Sequence, residues 1–286
     1  MKACVNGRLV DEGDHAVSVL DAGLLYGYGI FETMLVVDGR VFRPGRHLSR
    51  LRGAAALVHI PLSWTDQELE EMIQSTLNAN ILDNAYVRLT VTRGVGEPRM
   101  NFTGDMTPSV IVLARGLPDG VWAKRPDGVR LAVSRNFSVY SLDPRTKIKS
   151  TNYLVNALAK QEAEALGVDD VILLNEKGVV AECPTANIFA VSGGCIMTPP
   201  ADTGLLPGVT REAVIEVARA AAVAFEEREI TVAELVNADE VFKTSSIMGV
   251  VPVTEIDGRK IGGGRTGPVT RRLQERYREL IRKECG

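Results

Sequence analysis

The 286-residue sequence is poor in the residues from which metal-built and disulfide-braced proteins are made. Its four cysteines, Cys4, Cys183, Cys195 and Cys285, show no CxxC spacing, and its three histidines, His15, His47 and His59, do not cluster. A zinc site or a disulfide framework is therefore not expected, and no metal ligand is assigned. Long apolar runs are missing too. Ala218 to Phe225 is broken by Arg219 and falls far short of the ~20 residues a bilayer span needs. The opening residues, Met1-Lys2-Ala3-Cys4-Val5-Asn6-Gly7-Arg8, lack the apolar core of a signal peptide. Charge of one sign is also absent: 33 Lys and Arg stand against 36 Asp and Glu, well mixed, for a formal net charge of −3. That leaves no basic stripe for nucleic acid and no polybasic membrane patch. The expectation is a cytoplasmic protein with reduced thiols.

What is present is an ordinary globular composition, 45% hydrophobic and 24% charged, long enough for two compact domains. The chain opens with short alternating strands. Val5 to Arg8 turns at Asn6-Gly7, Ala16 to Leu20 alternates, and Thr33 to Val37 turns at Asp38-Gly39 into Val41-Phe42. Such dipeptides supply the positive φ angles of tight hairpins. His47 to His59 carries Leu48, Leu51, Ala55 and Val58 at helical spacing, and Thr65-Asp66-Gln67-Glu68 is a capping box before Leu69, Met72, Ile73 and Thr76. Tyr86 to Thr92 and Ser109 to Ala114 read as strands. Gly116 to Gly128 is rich in Gly, Pro and charge, as a linker is.

The predicted organisation is therefore residues 1–115, a loop over 116–128, and residues 129–286. The second part predicts strands at Val129 to Ser134, Val171 to Leu174, Val179 to Glu182, Asn187 to Val191 and Glu240 to Thr244. Helices are predicted at Asn152 to Leu166 and Arg211 to Phe225, with a short one after the capping box Thr231 to Glu234, an Asp257-Gly258 hairpin and a basic terminal helix. Strands and helices mix without regular βαβ units, which makes the fold class α+β.

Three segments could do chemistry. Lysine is scarce, nine against twenty-four arginines, and Lys149 ends an extended segment just before a helix that Asn152 caps. An amine placed there can be partly desolvated, as a carbonyl-attacking lysine requires; the plainer reading makes Lys147 and Lys149 two solvated charges. Val180-Ala181-Glu182-Cys183-Pro184-Thr185-Ala186-Asn187-Ile188-Phe189 puts a lone carboxylate at a strand end, where it could pair with a pyridinium nitrogen. Leu205-Leu206-Pro207-Gly208-Val209-Thr210-Arg211 is a glycine turn entering a helix, whose first N–H groups would suit a phosphate.

In this order the three segments resemble the class IV aminotransferase family, the fold-type IV pyridoxal 5′-phosphate enzymes, and the likeness runs from Leu20-Asp21-Ala22-Gly23-Leu24-Leu25-Tyr26-Gly27-Tyr28-Gly29-Ile30-Phe31-Glu32 to the C-terminal helix. The resemblance implies a small α+β N-terminal domain, a larger pseudo-barrel C-terminal domain, a cofactor between them, and a homodimer in which one subunit's loop closes the other's pocket. It makes Lys149 the lysine that holds the cofactor covalently and shuttles the substrate's α proton. Glu182 becomes the partner of the ring nitrogen, Arg50, Val209, Thr210 and Ser246 the phosphate contacts, Leu206 the residue on the ring face and Tyr153 the phenol at the ring oxygen.

For substrate the resemblance divides. Tyr26, Phe31, Tyr86 and Arg88 resemble the apolar wall and carboxylate contacts of branched-chain aminotransferases. D-Amino-acid members carry Arg-x-His where this chain has Arg99-Met100-Asn101, so half of that signature is present, and the same loop would adapt to (R)-amines. The other reading is 4-amino-4-deoxychorismate lyase, with Thr33 as proton donor. Ile247-Met248 departs from the small residues of the branched-chain carboxylate turn. The expected activity is transfer of an amino group from an aliphatic amino acid to a 2-oxo acid.

Overall fold

The computed structural model describes residues 1–96, 106–118, 121 and 128–286. Two compact units emerge: Met1–Pro118 with Ile148–Asn152 and Ile281–Gly286, and Asp119–Lys147 with Tyr153–Leu280. A boundary drawn at one point in the chain would put Lys149 with the second unit; its contacts put it with the first.

In the first unit, strands β1 (Lys2–Val5) and β2 (Arg8–Asp11) precede a short helix α1 (Ala22–Tyr26). Then come β3 (Gly29–Val37), β4 (Arg40–Val41), helices α2 (Pro44–Leu57) and α3 (Asp66–Asn80), β5 (Ala85–Val95) and β6 (Thr107–Gly116). The six strands make one antiparallel sheet in the order β2-β1-β6-β5-β3-β4. Period-2 alternation sorts its faces. Ile30, Met34 and Val36 of β3 and Val87, Leu89 and Val91 of β5 are buried against Leu48 and Leu51 of α2 and Leu69, Ile73 and Leu77 of α3. Each such side chain contributes about 1.5–3 kcal/mol of transfer free energy, and Leu69→Ala would cost about 2–5 kcal/mol. The capping box holds as read: Thr65 Oγ1 accepts from Glu68 N, and Glu68 Oε2 accepts from Thr65 N.

The second unit contains β7 (Val129–Val139), α4 (Leu154–Ala165), β8 (Asp170–Asn175), β9 (Val180–Cys183), β10 (Ala186–Ser192) and β11 (Cys195–Thr198). These are followed by α5 (Val209–Ala220), β12 (Phe225–Glu227), α6 (Val232–Val236), β13 (Glu240–Ser245), β14 (Gly249–Ile256), β15 (Arg259–Lys260) and α7 (Pro268–Cys285). Six of the strands close on themselves: β10-β13-β14-β7-β8-β9, with β9 pairing back to β10. Closure leaves no open edge within that ring. Val129, Leu131, Ile172, Val180, Ile188, Val241, Val251 and Val253 fill its core. On the other face of β10 and β13, Phe189 and Phe242 stack at 4.7 Å. Asp170, fully buried, is paired with Lys243 and, at 3.1 Å, with Lys160 Nζ. The carboxylate is thereby spared the penalty of an unpaired buried charge.

Three local expectations fail. Ala16 to Leu20 is not a strand: alternation signals a half-buried strand, and this segment is exposed throughout. The helix expected to reach Phe225 ends at Ala220, because Ala222 takes a left-handed φ of 53° and Phe225 instead pairs with Ile196 as β12. Asn152 does not cap α4, whose N-cap is Tyr153; its side chain donates to Gly27 O at 2.8 Å. Strands β11 and β12 were not legible in the sequence. Most of the expected linker, 119–120 and 122–127, lies outside the described residues.

Candidate active site

In the first unit the site begins with strand addition. Phe31 N donates to Lys149 O and Thr151 N donates to Gly29 O, both at 2.8 Å, so Lys149–Thr151 extends the sheet along the end of β3 that β4 leaves unpaired. Gly27 makes room for this segment: its φ is 64°, and a Cβ there would lie 2.2 Å from Asn152 Oδ1. Thr151 Oγ1 and Asn152 Nδ2 both donate to the Gly27 carbonyl, at 2.7 and 2.8 Å. Ahead of it, buried Asp21 accepts from Gly23 N, Thr92 Oγ1 and Ser109 Oγ, which fixes α1 to the sheet.

The consequence is a cationic cluster on one aromatic ring. Lys149 Nζ lies 4.5 Å and the Arg88 guanidinium carbon 3.5 Å from the centroid of Phe31, which is buried. A ring face attracts cations, and partial burial strengthens that attraction. Thr33 stands opposite Arg88 in the β3–β5 register and Leu35 opposite Tyr86, so Phe31, Thr33, Tyr86 and Arg88 occupy one sheet face. Lys147, by contrast, is exposed. Tyr26 closes α1 and is half-buried.

Arg50 of α2 is largely withdrawn from solvent. Its Nε and Nη2 donate to Glu32 Oε1 and Oε2 at 2.7 and 2.6 Å, and His47 Nδ1 donates to Glu32 Oε2 at 2.7 Å. Burial pushes the Glu32 carboxyl up, but the donors Arg50 and His47 outweigh it and hold it at about 2. Burial also lowers His47, against the pull of Glu32 and with the help of Arg50 and Lys149. The sequence reading missed Glu32 and His47. The available signal was a Glu at an inward position of β3 and a His on the buried stripe of α2.

In the second unit Glu182 lies opposite Asn187 across the β9–β10 hairpin, and Asn187 Nδ2 donates to Glu182 Oε2 at 3.1 Å. Leu206, half-buried, precedes the turn into α5, where Gly208 is the N-cap and no side chain caps the helix. Val209 and Thr210, its first residues, are buried. Tyr153 is half-buried, its hydroxyl 3.4 Å from the Pro184 carbonyl. Ser246, Ile247 and Met248 form the turn between β13 and β14, and Met248 packs on the barrel core. Arg211 is buried, its Nη2 donating to Pro199 O at 2.9 Å. Burial lowers its pKa, opposed by Glu227 and Glu182. Arg99, with Asn101, lies outside the described residues.

These residues suit pyridoxal 5′-phosphate. The start of α5, with no side-chain cap, would suit an anion, and the buried Thr244 Oγ1, opposite Asn187 in register, has no hydrogen-bond partner among the described residues. Glu182 offers the carboxylate that a pyridinium needs. Among the described residues no group of three His, Cys, Asp or Glu could hold a metal ion, and no helix is long and apolar enough to cross a membrane.

A closed barrel joined in one chain to an antiparallel sheet that carries a half-buried lysine is the architecture of the fold-type IV pyridoxal-phosphate enzymes. Comparison with known proteins agrees. The family model for amino-transferase class IV matches residues 29–256. A Methanocaldococcus jannaschii protein named "Putative branched-chain-amino-acid aminotransferase" is 39% identical over 285 residues, 99% of this chain and 97% of that protein. The D-alanine aminotransferase of Listeria monocytogenes is 32% identical over 289 residues, 100% of this chain and 98% of that protein. Among solved structures, the branched-chain amino acid aminotransferase of Escherichia coli superposes with a TM-score of 0.93 at 30% identity, covering 100% of this chain and 96% of that one. The chain belongs to the class IV aminotransferase family and is a pyridoxal 5′-phosphate-dependent aminotransferase of that class.

Proposed function

We propose that this enzyme transfers the amino group of aliphatic L-amino acids, branched-chain donors foremost, to a 2-oxo acid. The observation that carries this reading is the shared ring of Phe31, with an amine on one side chain and a guanidinium on another. Lys149 supplies the covalent attachment and moves the α proton, while Arg88, with Tyr86 and Arg99, binds substrate carboxylate. Phe31 and Tyr26 wall the apolar side chain. Thr33, Ile247 and Met248 complete the substrate's surroundings. When bound, the cofactor's pyridinium ring accepts the electron pair left at the α carbon. Glu182 holds the proton on the ring nitrogen. Arg50, Val209, Thr210 and Ser246 bind the phosphate, Leu206 packs on the ring, and Tyr153 donates to its oxygen. Glu32, itself bonded to His47, holds the Arg50 guanidinium.

The proposed assembly is a homodimer. Support comes from apolar side chains left exposed on the second unit, Tyr140, Leu142, Leu154 and Val155, the last two on α4. The four free cysteines suit a reducing, cytoplasmic compartment. A half-reaction screen tests the substrate reading. L-Leucine, L-isoleucine and L-valine should deplete the visible absorbance of the loaded enzyme and yield the matching 2-oxo acids, faster than D-alanine or an (R)-arylalkylamine. Depletion by D-alanine or amines alone would overturn it, as would pyruvate release from aminodeoxychorismate without amino transfer.

A further inference from the structure

Asn187 is 5% exposed and sits where three parts of the second unit meet. Its Nδ2 makes two hydrogen bonds, to Glu182 Oε2 at 3.1 Å and to the Leu206 carbonyl at 2.8 Å. Both acceptors are oxygens that cannot donate in the carboxylate and carbonyl states, so the chemistry itself fixes which way the amide points. Its other end is equally committed. A Cβ on Gly208 would lie 2.1 Å from Asn187 Oδ1, so glycine at 208 is what lets the turn into α5 close down on this amide. The backbone φ at Gly208 is −73°, ordinary for any residue, so close approach and not dihedral freedom is the reason for the glycine.

One side chain thus ties a carboxylate on β9 to the turn that begins α5. We infer that Asn187 is a positioning residue that aims the Glu182 carboxylate at the cofactor's ring nitrogen and fixes the Leu206–Gly208 turn in register with it. The inference rests on the reading of Glu182 given above. Donation from a neutral amide favours a carboxylate over its protonated form, and it does so without adding a charge that would compete for the same oxygens. An arginine there would neutralise the group it orients, as Arg50 does for Glu32.

The test separates orientation from general support by using a probe that lacks the nitrogen. The full-length chain, stripped of cofactor, is titrated with pyridoxal 5′-phosphate and with its 1-deaza analogue, in which CH replaces the ring nitrogen. Wild type should prefer the natural cofactor by about tenfold or more, the scale of one hydrogen bond to a charged group. Glu182→Gln should erase most of that preference, and Asn187→Ala should reduce it about as far. Asn187→Leu, which keeps the size of the side chain should the alanine variant fail to fold, should do the same, because it removes the donor without adding a charge. Equal loss of affinity for both probes in the Asn187 variants, with Glu182→Gln still selective in its effect, would show a merely structural role and overturn the inference. If wild type does not distinguish the probes, the reading of Glu182 itself falls.

Discussion

Two glutamates, one buried and one half-buried, divide the molecule's work. Glu32, on the helix-facing side of the first sheet, is met by a guanidinium and an imidazole; Glu182, at a corner of the barrel, is met by a neutral amide. The first arrangement spends a carboxylate on a neighbouring cation, which sets the direction of Arg50 and tempers its charge. The second orients a carboxylate through a donor that carries no charge of its own. In the first region the exposed chemistry is cationic, Lys149 and Arg88 on the ring of Phe31. In the second it is anionic at Glu182, and the first N–H groups of α5 carry no side-chain cap. A zwitterionic cofactor with a phosphate and a ring nitrogen, held as proposed above, would draw on both kinds of surroundings.

The largest effect should come from the cationic region. Lys149→Ala is expected to abolish borohydride-fixable attachment of the cofactor and to lower turnover by on the order of 10²–10⁴-fold or more, since both the covalent link and the proton carrier go. Lys147→Ala, an exposed neighbour, should leave both within a factor of about two, as surface substitutions do. Mass spectrometry after reduction reads the attachment, and single-turnover kinetics reads the rate. The reverse pattern would place the reactive amine one residue pair away and break the assignment of the covalent step to the Phe31 face.

How far these regions could be read beforehand follows from what each signal reports. Lys149, Glu182 and the Leu206–Thr210 turn stand out as candidates because short motifs carry them at fixed order, and the capping boxes at Thr65 and Thr231 were legible because both partners lie three residues apart. The pairing of Arg50 escapes because its partner, Glu32, is eighteen residues away on another element. Nothing in a local window reports such a pairing. Strands β11 and β12 escaped for a related reason: Phe225–Glu227 is a strand only because Ile196–Thr198 is beside it, and parallel pairing leaves no turn signature between them. The Ala16–Leu20 error is the converse, an alternating pattern with no neighbour to bury it.

The substrate side of the comparison can be sharpened with Arg88→Ala. Removing a hydrogen-bonding cation from a carboxylate costs about 1.5–3 kcal/mol, or about 10- to 150-fold. That loss should appear in KM for amino acids and largely spare amines without a carboxylate. Equal losses for both donor classes would mean that Arg88 supports Phe31 and not the substrate.

Acid separates the two glutamates next. The Glu32 carboxyl is held at about 2 against an ordinary 4.5, so the native state binds its proton less readily than the unfolded chain. Its contribution is therefore complete above pH 4.5 and is lost as the pH falls toward 2; its full size is about 3 kcal/mol. Urea midpoints measured across that window should fall more steeply in wild type than in Glu32→Gln. Parallel profiles would show that the triad with Arg50 and His47 does not form in solution.

The smallest effect tests whether surroundings, and not geometry, give the Glu32 cluster its weight. Arg145 Nη2 and Asp143 Oδ2 are 2.6 Å apart, the same separation as Arg50 Nη2 and Glu32 Oε2, and Arg145 Nε also donates to the same carboxylate. The hydrogen bonds from Arg145 pull Asp143 below its ordinary range, as those from Arg50 and His47 do for Glu32. What differs is water: the side chains are 85% and 18% exposed in the first pair, and 14% and 1% in the second. Solvent screens an exposed pair and charges side-chain entropy for holding it, so an equal distance does not mean an equal contribution. Arg145→Ala should leave the urea midpoint at neutral pH indistinguishable from wild type, and added salt should not change that result. A measurable loss would mean that the 3₁₀ turn at Pro144–Lys147 needs this pair to hold the approach to Lys149, and the contrast between the buried and exposed clusters would then rest on position in the chain and not on dielectric.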